Sequence, residues 1–245
     1  MLKAYPGLRL ITMDSRNHGS SRYVGAPTDS ASSASRDKQK LDMSIPTLAA
    51  DAAALLSHLG ADGNKAIVIG HSLGGIVATV LCHSYTQLIR GLVLIDPSYL
   101  LPPGAFDGFI AKLCDPERTA SETVALITGF FDAVYPPDTP EYIKTWHAMR
   151  VWGMEQSVAV AAWPFIVDYV GSDNVEFIRR THTPGVPRLV VTSVPPFLEP
   201  LRQAGSETPE MDDFEPMEGG HWMMKTKADE FNEVLAKWLD KHSFK

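Results

Sequence analysis

Apolar residues along the chain fall into two alternating patterns. Short unbroken runs at Leu8 to Met13, Ala66 to Ile69, Ile89 to Ile95 and Arg188 to Ser193 read as strands buried on both faces. A last strand is expected near Asp213 to Met217. Between these runs the period becomes helical. Leu48, Ala52, Leu55, Leu56 and Leu59 share one face behind Thr47, an N-cap candidate, with Gly60 closing the helix. Ile76 to Leu81 continues as an apolar helix, and Phe231, Val234, Leu235, Trp238 and Leu239 form the stripe of a closing helix that Thr226 would cap. Strands alternating with helices predict βαβ units and a mostly parallel α/β sheet flanked by helices. In such sheets ligands sit beyond the carboxyl ends of the strands.

Two stretches break the alternation. Ala26 to Lys40 is rich in Ser, Ala and charge and reads as a mobile loop. From about 103 to 183 the pattern is helical without strands, opens one helix at Thr139-Pro-Glu, and carries Phe106, Phe109, Phe130, Phe131, Trp146, Trp152 and Trp163 among its aromatics. It is expected to form a helical cap, most of its aromatics packing on one another and a few facing a pocket. The core then comprises residues 1–102 and 184–245, in one domain with no internal repeat.

Length and charge narrow the class. A chain of 245 residues with 44% hydrophobic and 21% charged residues suits one globular α/β domain. A formal net charge of -7 excludes nucleic acid and anionic membrane as main partners and favours a small neutral or weakly charged molecule. Two cysteines, Cys82 and Cys114, with no apolar leader or bilayer-length run, predict a cytoplasmic, reducing setting without a membrane span. Oligomeric state is not legible.

The chemistry concentrates at Gly70-His-Ser-Leu-Gly74, set between the run at Ala66 and the helix at Ile76. A serine on so sharp a strand-to-helix turn has a strained backbone, and Gly70 and Gly74 would let strand and helix pass closely. The helix N-terminus, beginning with the amide of Leu73, would face negative charge developing at Ser72. Downstream stand Asp96, at a strand end before Pro97, Glu199, and His221 in Glu218-Gly-Gly-His-Trp222. His18, in the polar turn Asp14-Ser-Arg-Asn-His-Gly-Ser20, is read as satisfying its own loop. His58, His71, His83, His147, His182 and His242 are read as structural or solvated.

The order Ser72, a later acid and then His221 closely resembles the α/β-hydrolase family, as do the Asp14 to Ser20 loop, the nucleophile elbow and the final Gly-His-Trp. The resemblance spans nearly the whole chain. It implies that Ser72 is the nucleophile, His221 the general base, and the backbone N–H of Leu73 half of an oxyanion hole, with no metal or organic cofactor. It implies hydrolysis of small, mainly apolar esters, thioesters or lactones. C–C bond hydrolysis, aminopeptidase-like cleavage and a non-catalytic remnant that binds a small ligand are the alternatives.

Two features depart from the family. It places three strands and an oxyanion-hole loop ahead of the strand that here begins at Leu8, and the third lies between that strand and the elbow strand. The sheet must therefore close the gap or lose its order, and the second oxyanion donor has no source. The family most often carries its acid just after the strand at Arg188, where this chain has Val194-Pro-Pro196. Asp96, the position some members use, is the expected acid, with Glu199 as the competitor.

Overall fold

The computed structural model describes residues 5–21, 42–61, 63–97, 104–167, 169, 174–203 and 209–244. The Ala26 to Lys40 stretch and the expected boundary at 102 and 103 lie outside them.

Strand β1 (Ala66–His71), β2 (Ile89–Ile95), β3 (Arg188–Thr192) and β4 (Asp212–Pro216) form one sheet in the order β1-β2-β3-β4, every pair parallel. Residues in β2 alternate between two cores. Leu92 and Leu94 join Val190 against helices α1 (Ile45–His58) and α2 (Leu73–Ser84), whereas Val93 and Ile95 join Leu189 and Val191 on the opposite face. Closing helix α11 (Ala228–Lys241) covers that second face with Phe231, Leu235, Trp238 and Leu239. Because both faces are covered, β3 is buried throughout its length. Registered pairs His71 with Ile95 and Ile95 with Val191 bring the carboxyl ends of β1, β2 and β3 level.

Among the described residues six helices separate β2 from β3: α3 (Asp107–Leu113), α4 (Ala120–Val134), α5 (Glu141–Trp152), α6 (Gln156–Ala162), α7 (Pro164–Val167) and α8 (Asn174–Arg180). Phe106, Phe109, Phe130 and Trp163 pack together within this insertion, with centroids 4.6–6.0 Å apart. Against expectation, α5 turns Tyr142, Trp146, Met149 and Trp152 to solvent, because Ile143, His147 and Val151 occupy the face it buries. The remaining helices are α9 (Leu198–Gln203) and α10 (Met223–Thr226). No described helix is long and apolar enough to cross a membrane.

Local corrections have plain causes. Helix α1 begins at Ile45, so Thr47 lies inside it, and the Thr47 hydroxyl donates to Asp42 Oδ2 at 2.7 Å. Thr226 does not cap α11; its hydroxyl donates to the Gly219 carbonyl at 2.8 Å. Leu8 to Met13 is not a strand. It runs beside β1 across a trough of about 1310 Å³, which deprives its backbone of a ladder partner. The sheet therefore neither closes the gap nor changes its order. Leu10, Met13 and, on β1, Ile69 remain 53%, 42% and 41% exposed.

Among the described residues no strand pairs with the outer edge of β1, and an edge of that kind is a template for pairing with another chain. Ile69→Lys places a charge on that edge and is expected to lower self-association in sedimentation velocity at raised concentration. The cost in urea denaturation should be no more than about 0.5 kcal/mol, as for other surface positions. A loss of several kcal/mol would show that Ile69 is covered in solution.

Candidate active site

The turn after β1 is tight because β1 and α2 touch through their backbones. A Cβ built on Gly70 would lie 2.2 Å from the Gly74 carbonyl oxygen and 2.8 Å from Ala78 Cβ. Contrary to the expectation that both glycines provide clearance, a Cβ on Gly74 would meet nothing within 4 Å. Ser72 stands at φ 54°, ψ -120°, a left-handed conformation that side chains avoid unless held. Here the Ser72 amide donates to the Ile95 carbonyl at 2.9 Å, and the Ser72 carbonyl accepts from Gly75 N–H at 2.9 Å. Leu73 is the first residue of α2, so its N–H has no intrahelical acceptor and stays directed at the turn.

One residue past the pairing of His71 with Ile95, Asp96 is held at φ 44° by its own amide, which donates to the Val191 carbonyl at 2.7 Å. Its buried carboxylate accepts from His221 Nδ1 at 2.6 Å, Thr192 Oγ1 at 2.8 Å, Ser193 N at 3.1 Å and Ser193 Oγ at 3.2 Å. Burial raises its pKa, but the bonds from His221, Thr192 and Ser193 outweigh burial and hold it below the ordinary carboxylate value. The carboxylate is thus ionised and accepts only, so Nδ1 of His221 carries a proton and Nε2 is the nitrogen left for chemistry. Glu199 lies 65% exposed on α9, beside Arg202. His18 Nδ1 contacts the Arg16 carbonyl at 2.9 Å within its own turn.

His221 reaches this position from a turn beyond β4 in which Gly219 and Gly220 have φ of 111° and 69°. Trp222 is buried behind it, its ring 5.0 Å from His221 and 4.6 Å from His147. His147 belongs to a polar chain linking the insertion to the core. Lys225 Nζ donates to His147 Nε2 at 3.3 Å, which leaves Nδ1 protonated against Tyr135 Oη at 2.7 Å. Burial, with repulsion from Lys225 and Arg150, holds His147 at about 4; burial and Arg150 lower Lys225 to about 8; burial, then Asp132, raises Tyr135 to about 12. Among the described residues, no group of three or more His, Cys, Asp or Glu is disposed to hold a metal ion.

Similarity to known proteins bears on this geometry. The family model described as "Alpha/beta hydrolase family" matches residues 2–234. The chain belongs to the alpha/beta hydrolase family. A hydrolase from Pseudomonas aeruginosa superposes with a TM-score of 0.69 at 22% identity, over 92% of this chain and 77% of its own. A thermophilic esterase from Thermogutta terrifontis gives 0.68 at 20% identity, over 94% and 78%. At such identities these alpha/beta hydrolases share the fold. An sn-1-specific diacylglycerol lipase, ABHD11, of Xenopus laevis is 29% identical over 109 residues, 44% of this chain. The match spans only 29% of that lipase.

Sequence reasoning missed Thr192 and Ser193. They occupy the strand end where the family most often carries its acid, and their hydroxyls instead donate to an acid on the neighbouring strand. It also set aside His71 and His147. Only their apolar neighbours hinted at burial.

Burial also depresses His71, to about 3, so both rings are neutral in the fold and take up protons near 6.5 once unfolded. The unfolded chain then binds more protons below about 6.5, and this contribution to stability is complete above that pH and lost as pH falls toward 4. Asp96, depressed, adds stability above its unfolded value near 3.8 that disappears in stronger acid. The melting temperature is expected to fall steadily from pH 7 to 4 by calorimetry; a constant or rising value would contradict neutral buried imidazoles.

Proposed function

We propose that this alpha/beta hydrolase is a serine hydrolase of small, mainly apolar carboxylic esters, thioesters or lactones. The observation that carries the reading is the 2.6 Å bond from His221 Nδ1 to the ionised Asp96, made at the same sheet edge as the strained turn of Ser72. The named esterase and lipase among its relatives support this reaction class. Residues 103–183, in which Phe106, Phe109, Phe130 and Trp163 pack on one another, serve as a helical cap over the site.

Ser72 Oγ attacks the acyl carbon while His221 Nε2 takes its proton. The new oxyanion meets the N–H of Leu73 at the positive end of α2, and Asp96 stabilises the imidazolium through Nδ1. As the tetrahedral species collapses, the bond to the leaving oxygen or sulfur breaks and Nε2–H protonates that atom. Water then attacks the acyl-Ser72 by the same route, releasing the acid and restoring the serine. The trough beside Leu73 favours a second reading, a non-catalytic member that binds a small ligand there. A fluorophosphonate probe separates the two, since covalent labelling of Ser72 requires an activated nucleophile.

Ser72→Ala is expected to abolish turnover of a p-nitrophenyl ester with an unchanged circular dichroism spectrum. Asp96→Asn should cost about four powers of ten in kcat by losing the productive tautomer of His221, whereas Glu199→Gln should stay near the parent. If Glu199→Gln suffered the larger loss, the acid would be misassigned.

A further inference from the structure

We propose that His71 is a positioning residue, a strut that ties the loop of the general base to the turn of the nucleophile by donating Nε2–H to the backbone carbonyl of His221. The proposal rests on the triad reading above and extends it. β1 and β4 are the two margins of the sheet, so the turn after β4 must pass over the ends of β3 and β2 to bring His221 to Asp96. That turn passes through two left-handed glycines, a conformation that few other residues would hold. The bond to Asp96 fixes only one nitrogen of the ring, about which the imidazole can pivot. The main chain of His221 is fixed separately, by His71 Nε2 at 2.6 Å from its carbonyl oxygen. A carbonyl only accepts, so Nε2 of His71 carries the proton. His71 is also the residue before Ser72. One hydrogen bond thus couples the positions of nucleophile and base across 150 residues of sequence.

The charge state of the ring fits this role. His71 lies with its centroid 4.5 Å from that of His221, tilted by 46°. A cation there would oppose protonation of the base. Burial first, then the proximity of His221 and more weakly Lys225, keep His71 neutral against the opposing pull of Asp96 and of its bond to the His221 carbonyl. Over the range where a serine hydrolase works, the donor is therefore present and uncharged.

A ring that merely filled space would be replaceable by an apolar side chain, which separates the two roles. His71→Leu keeps bulk but loses the donor; His71→Gln keeps an amide N–H of similar reach. His71→Leu is expected to lower kcat for a p-nitrophenyl ester about ten- to a hundredfold, with KM within about twofold, because a small misplacement of reacting groups is costly. His71→Gln should recover most of the loss. The second readout does not need turnover: in the Ser72→Ala background, the His221 Nδ1 proton bonded to Asp96 should give a slowly exchanging NMR signal that broadens in His71→Leu and returns in His71→Gln. Should His71→Leu fail to fold, His71→Asn, whose amide is too short, takes its place. Equal loss in the Leu and Gln variants, or an unaltered signal and kcat in His71→Leu, would overturn the proposal. A parent that turned over no ester, yet showed the NMR response, would sink the hydrolase reading and leave the strut standing.

Discussion

Backbone contact between β1 and α2 at Gly70 is the constraint on which the site depends. No side chain fits there, since a Cβ would stand 2.2 Å from the Gly74 carbonyl. Without that approach α2 could not turn directly out of the strand, and Ser72 would relax from its left-handed backbone to an ordinary one. The same turn sets the first amides of α2 around the serine. The strain is held by bonds to neighbours, above all the Ser72 amide on the Ile95 carbonyl, so the elbow and β2 stand or fall together.

Level strand ends do the rest. With His71, Ile95 and Val191 in register, the next residue of each strand emerges at one height, and those residues are Ser72, Asp96 and Thr192. Asp96 can stay ionised in a buried place because four donors converge on it, three of them from Thr192 and Ser193. Removing a donor would leave a buried charge short of partners.

Much of this was legible in the sequence. The run Ile89 to Ile95 marked its strand to the residue, because burial on both faces leaves little room for polar side chains. The elbow was legible since its glycine and serine sit between a strand and a helix. Leu8 to Met13 carried the same apolar signal and still made no strand, because composition records what wants burial and not whether a neighbour is within hydrogen-bonding reach. Strand adjacency favours Asp96 over Glu199 in the sequence, and Asp96 is the carboxylate that His221 touches. His71 escaped notice for a different reason: its partner is a main-chain carbonyl, which every residue possesses, so no side-chain pattern announces it.

The outer margin of β1, unpaired among the described residues, gives the sheet a gradient of another kind. Among the described residues no strand pairs with the outer side of β1, which faces the trough, while β2 and β3 are flanked on both sides. Deuterium should therefore enter the sheet from the β1 margin, and the strand that leads to Ser72 should breathe more readily than the strand that leads to Asp96. The two sides of the site would then sit on backbone of unequal protection, with the Ser72 side exchanging first.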